Sequence, residues 1–213
     1  MNLGNTLILG DSYSTFEGKI PDGYETWYSK EGFETGRTDV SEYTQTWVYK
    51  VFDGKDNILV LNDSFSGTTV SNSVRPHHTV DVSFLNRLNK LINDGFFQKN
   101  RIDTVLVFGG TNDSYTDAPI GEDKFDNFTE EDLLYTLPAF SYIAKKLNET
   151  VPDARVCYLI NTELKYEITT GIMRTAEHFG QDYLLFKHLD KKSGHPSVKG
   201  MEQIAEAINV HFE

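Results

Sequence analysis

Five short apolar runs recur along this chain, none of them alternating polar with apolar: "TLILG" (Thr6 to Gly10), "NILVLN" (Asn57 to Asn62), "DTVLVFGG" (Asp103 to Gly110), "ARVCYLIN" (Ala154 to Asn161) and the weaker "DYLLF" (Asp182 to Phe186). Unbroken runs of this kind belong to strands buried on both faces, and such strands need helices above and below them. The helices are legible between the runs. Phe84, Leu85, Leu88, Leu91 and Ile92 recur at helical spacing, as do Leu133, Leu134, Leu137, Phe140, Ile143, Ala144 and Leu147. Thr129 is placed to cap the second of these, and Pro138 predicts a kink or a late start in it. Val198, Met201, Ile204, Ala205 and Ile208 predict a closing helix, with two more over Tyr43 to Phe52 and Leu164 to Phe179. The pattern predicts an α/β sandwich around a parallel sheet with right-handed crossovers.

A chain of 213 residues with no polar linker predicts a single domain over residues 1–213. The formal net charge of −12 disfavours nucleic-acid phosphates and anionic membranes as partners, since both would be repelled. A neutral or cationic small molecule fits better. No apolar run reaches the roughly 18 residues of a membrane span, and the start has no basic region followed by an apolar one. The expectation is a soluble, cytoplasmic protein. Its one cysteine, Cys157, sits inside an apolar run and reads as a core thiol.

Two connections are long for a compact sandwich, residues 11–39 and 111–128. Both are rich in aromatics, and both follow carboxyl ends of strands, where open α/β sheets bind ligands. Ser12 follows the first strand, Gly67 the second and Asn112 the third, while His195 precedes the last helix. Each has a plain structural reading alone: a helix cap, a turn glycine, a turn amide and a helix start. Together they meet the demands of acyl transfer. A serine hydroxyl needs an imidazole to take its proton, and the oxyanion needs preorganised donors. The amides of Ser12 and Gly67 and the side-chain NH₂ of Asn112 could supply them.

"GDSY" (Gly10 to Tyr13), Gly67, "GGTND" (Gly109 to Asp113) and "GHPS" (Gly194 to Ser197) resemble, in order, the four sequence blocks of the GDSL/SGNH hydrolase family. The resemblance spans nearly the whole chain. It implies a flavodoxin-like three-layer α/β/α sandwich with a central five-stranded parallel sheet. It also implies Ser12 as nucleophile, His195 as general base, and Ser12, Gly67 and Asn112 as the oxyanion hole. One departure stands out: the family commonly carries an acid three residues before the histidine, and here that position is Lys192. Either Asp190 takes the orienting role or the imidazole bonds a backbone carbonyl, leaving a Ser-His dyad.

The expected activity is hydrolysis of oxygen esters through an acyl-enzyme without metal or organic cofactor, with small acyl groups on a carbohydrate as the substrate. Tyr13, Tyr115 and Trp27 are the candidate substrate-binding aromatics, and Trp27 and Trp47 either line the pocket or pack the first long loop. The alternative is a non-catalytic ligand- or glycan-binding module on the same fold. His77-His78 has no ligand cluster at metal spacing, and Asp11 is expected to hold its loop by Asx-type bonds.

Overall fold

The structure, a computed structural model, describes residues 3–54, 57–73 and 79–213. Its centre is a sheet of five parallel strands, β1 (Asn5–Gly10), β2 (Ile58–Ser64), β3 (Thr104–Phe108), β4 (Arg155–Ile160) and β5 (Asp182–Leu185), in the order β2-β1-β3-β4-β5. The helices are α1 (Lys30–Glu34), α2 (Trp47–Phe52), α3 (Phe84–Asn93), α4 (Phe96–Lys99), α5 (Thr111–Tyr115), α6 (Thr136–Thr150), α7 (Tyr166–Phe179) and α8 (Val198–His211).

Alternation along the strands divides the core in two. Ile8, Leu106, Cys157 and Leu159 point to the face covered by α2 and α8. Leu7, Leu9, Val105, Val107, Val156 and Tyr158 point to the face covered by α3, α6 and α7. Each fully buried aliphatic side chain contributes about 1.5–3 kcal/mol, so the sheet is held from both sides. The outcome is the flavodoxin-like α/β/α sandwich that the four blocks imply. The thiol of Cys157 lies in this core, and burial pushes it up to about 12.

Pro138 marks the late start: a 3₁₀ turn at Asp132–Leu134 precedes α6, with Pro138 in its first turn. Thr129 therefore does not cap α6. It exchanges hydrogen bonds with Asp132 at that preceding turn, and Tyr135 occupies the cap position of the helix.

Strand order reverses between β1 and β3, and ligand crevices in open sheets form at the carboxyl ends of such a reversal. Residues 11–14 and 111–115 begin there side by side. Beside them stands a small antiparallel hairpin, β6 (Lys191–Lys192) and β7 (His195–Pro196), which the apolar pattern gives no hint of.

Candidate active site

The chain leaves β1 through a 3₁₀ turn, Ser12–Ser14, whose cap is Asp11. Asp11 accepts from the Tyr13 amide at 3.1 Å, the Asx-type bond expected of it. Its complete burial raises its carboxyl to about 7. Ser12 is thereby fixed as the first residue of the turn, where an amide has no partner within the turn itself.

Opposite it, His195 Nε2 lies 2.8 Å from Ser12 Oγ. The other ring nitrogen, Nδ1, lies 3.2 Å from the carbonyl oxygen of Ser193. That carbonyl is presented by a two-residue hairpin turn in which Ser193 has φ 51° and Gly194 φ 78°. Paired positive φ values match the twist of a tight hairpin, and glycine meets the demand freely. Ser193 meets it at a cost of roughly 1–2 kcal/mol, a local strain held beside the candidate base.

Asp190 is not the orienting acid in this geometry. Its carboxylate accepts from Ser197 Oγ, its carbonyl accepts from the Ser197 amide at 3.0 Å, and its amide donates to Gln203 at 2.7 Å. Ser197 caps α8, so Asp190 is drawn to the helix start and away from the imidazole. Of the two alternatives left by Lys192, the carbonyl-bonded histidine is the one this arrangement displays. Burial pushes the imidazole down to about 4, opposed by the Ser193 carbonyl and reinforced by the positive charges of Lys191 and Arg37.

Gly67 follows β2 with φ 82°, a left-handed conformation that suits glycine and turns its loop across the end of the sheet. The loop is tied on several sides. Ser66 N donates to Glu25 O at 2.9 Å, and Asn112 Nδ2 donates to Thr68 O at 2.9 Å. Asp113, fully buried, accepts from the amides of Val70 and Ser71 at 2.8 and 3.2 Å. Ser12, Gly67, Asn112 and His195 thus line one cavity of about 470 Å³.

The three aromatic candidates divide. Tyr115 lines the cavity and is 83% exposed, with its ring open to solvent. Tyr13 is 1% exposed and its hydroxyl donates to Gly194 O at 2.7 Å, so it braces the hairpin from beneath and offers no substrate surface. Trp27 stacks on His195 with ring centroids 3.5 Å apart and planes 8° apart, and the Arg37 guanidinium covers its other face at 4.6 Å. With the imidazole on the indole and the guanidinium over it, Trp27 offers no open face for a sugar to stack on. Trp47 is fully buried and donates through Nε1 to Tyr13 O at 3.0 Å, the packing role. The His77-His78 pair lies outside the described residues.

Several residues that organise the site carry no motif. Arg87 is 3% exposed and reaches from α3 to the Asp63 carboxylate at 3.0 Å, to Gly10 O at 2.9 Å and to Thr68 Oγ1 at 3.4 Å, joining the ends of β1 and β2 to the Gly67 loop. Its signal was present: it is a charge set among the apolar positions of Phe84, Leu88 and Leu91. Asn161, at the end of β4, donates to Tyr13 Oη at 3.2 Å and Thr111 Oγ1 at 3.3 Å and accepts from Lys191 Nζ at 3.1 Å. Tyr28 donates to Pro196 O at 2.8 Å, the second tyrosine fastened beside His195. Nothing in the sequence distinguishes these last two from ordinary turn and core residues.

The fold is a flavodoxin-like α/β/α sandwich, and the four blocks converge at the carboxyl rim of its sheet. A family model of GDSL-like lipases and acylhydrolases matches residues 5–212, and the chain belongs to that family. Its structure superposes on a candidate GDSL-like lipase from Bacteroides ovatus with TM-score 0.88 and 36% identity, covering 100% of this chain and 99% of the other. A second from Bacteroides uniformis gives TM-score 0.87 and 34% identity over 98% and 95% of the two chains. A carbohydrate acetylesterase from Sinorhizobium meliloti, 15% identical with TM-score 0.60 over 98% of each chain, shares the fold. No curated protein matches the chain. Among the described residues, no helix is long and apolar enough to cross a membrane.

Proposed function

We propose that this hydrolase is a serine esterase that removes small acyl groups from carbohydrates by a Ser-His dyad. The observation that carries the reading is the 2.8 Å approach of His195 Nε2 to Ser12 Oγ at the floor of a cavity that Gly67 and Asn112 also line. Ser12 Oγ attacks the ester carbonyl while its proton passes to Nε2. The carbonyl oxygen gathers negative charge towards the Ser12 and Gly67 amides and the Asn112 amide group. As the bond to the alcohol oxygen breaks, His195 returns the proton to it, leaving the acyl group on Ser12. Water then attacks the acyl-enzyme with His195 again as base, and the acid and free Ser12 result.

The carbohydrate half of the reading rests on Tyr115, whose open ring at the cavity rim suits the apolar face of a sugar. The test is a fluorophosphonate probe with peptide mapping, followed by hydrolysis of acetylated sugars against long-chain esters. Ser12 labelling that Ser12→Ala abolishes, with preference for acetylated sugars, is expected. Asn112→Ala should lower kcat about 10²- to 10³-fold. Ester hydrolysis that survives Ser12→Ala overturns the mechanism, and preference for long acyl chains overturns the substrate.

A further inference from the structure

A histidine anchored only by a neutral carbonyl is held less firmly than one bonded to a carboxylate, because charge-assisted hydrogen bonds are about twice as strong. Something else has to fix the ring plane if His195 is to meet Ser12 in one geometry. We propose that Trp27, clamped between the guanidinium of Arg37 and the imidazole of His195, is a positioning residue that fixes the plane of the base in place of a carboxylate, and that Arg37 governs how readily that base takes a proton. The inference rests on the Ser12–His195 reading above.

Three observations carry it. First, the indole and imidazole lie face to face at 3.5 Å with planes 8° apart, so rotation of the imidazole about its Cβ–Cγ bond drives an edge into the indole. Second, Trp27 Nε1 is buried and has no hydrogen-bond partner among the described residues. A buried indole N–H is ordinarily paired, so the ring face is what this position uses. Third, Arg37 is seated by the local backbone. Its Nη2 donates to Trp27 O at 2.8 Å. A Cβ on Gly32 would lie 2.8 Å from Nη2 and 3.2 Å from Nε, so the glycine leaves the room the guanidinium occupies.

The two outer groups compete for one ring. An indole face attracts cations, and a protonated His195 would be a second cation on a ring that already carries Arg37 on its far face. Protonation of the base is opposed, and the imidazolium that forms is a stronger acid towards the departing alkoxide. The other groups facing His195 are Tyr13 and Tyr28, with ring centroids at 5.2 and 6.5 Å, and Lys191, whose charge is partnered by Glu163 at 3.0 Å.

The test combines kinetics with proton NMR of the His195 ring, assigned through His195→Gln. In the wild type the ring protons should be shifted upfield by the indole face. Trp27→Leu should abolish that shift and lower kcat on the order of 10²-fold with little change in KM, because the base and not the substrate is disturbed. Trp27→Phe should keep the upfield shift and a large part of kcat. Arg37→Gln, on the exposed side, should move the acid limb of kcat/KM and the NMR titration of His195 to higher pH.

A Trp27→Leu variant that loses the upfield shift yet keeps kcat within about threefold would overturn the positioning role. A rise in KM alone would make Trp27 a substrate contact and overturn it equally. If Trp27→Leu does not fold, Trp27→Phe with kcat as low as expected for the leucine variant is the contrary result. An unchanged or lower His195 titration in Arg37→Gln overturns the second half. The NMR readouts need no substrate, so a failed esterase reading, seen as ester hydrolysis indifferent to Ser12→Ala, is distinguishable from a failed stack.

Discussion

With His195 as the base proposed above, its low basicity should set the pH range of ester hydrolysis. Burial and the charges of Lys191 and Arg37 push the imidazole down to about 4, and among the described residues no carboxylate pulls it back, Asp190 being engaged by Ser197. A general base acts only when unprotonated. At about pH 5.5 an imidazole of pKa about 4 is about 97% neutral, whereas one at the ordinary value of about 6.5 is about 9% neutral. The perturbation is therefore a simple change of buffer, and the two cases differ about tenfold in rate. The assay is kcat/KM for a small acetyl ester from about pH 3.5 to 8, which reports the base in the free enzyme. We expect a plateau that holds to about pH 5 and falls with an inflection near 4. The same shift has a consequence for the fold. The unfolded chain takes this proton from about pH 6.5 downward and the folded one only near 4, so stability is lost as the pH falls across that window. An acid limb centred near pH 6.5 would refute the reasoning, since it would require a partner for the imidazolium that the described residues do not supply.

Asp190→Ala should leave kcat within a few-fold of wild type while lowering stability by ~1 kcal/mol, because the Ser197 hydroxyl that caps α8 loses the carboxylate that accepts from it; a fall approaching 10⁴-fold would instead identify an orienting acid. Lys192 pairs directly across the hairpin from His195, so Lys192→Asp should restore a carboxylate beside the ring and raise the acid limb by about one pH unit, read from the same profile. Arg87→Met leaves Asp63 buried without its cation and should cost about 3–5 kcal/mol in urea unfolding; a cost below about 1 kcal/mol would show that the pair does not hold the ends of β1 and β2.

The elements that could be read from the chain are those whose signal is local. The five apolar runs become the five parallel strands, and Pro138 delays α6 as a residue lacking an amide must. The order of the four blocks marks Ser12, Gly67, Asn112 and His195, and the cavity gathers all four. The hairpin of β6 and β7 was invisible because two residues per strand leave no periodicity to detect. The aromatic type of Tyr13 and Trp27 suggests substrate contact, but type alone does not tell an open ring from a covered one.

What the sequence determined by itself is the sheet, its helical layers and the residue types at its carboxyl rim, since apolar spacing and turn chemistry act between neighbours along the chain. Only the tertiary structure decided how the base is held. Ser193, Trp27, Arg37 and Tyr13 reach His195 from the hairpin turn and from a loop over 150 residues away in the chain. Hydrogen bonds and ring stacking depend on distance and angle in space, and no spacing in the sequence encodes those.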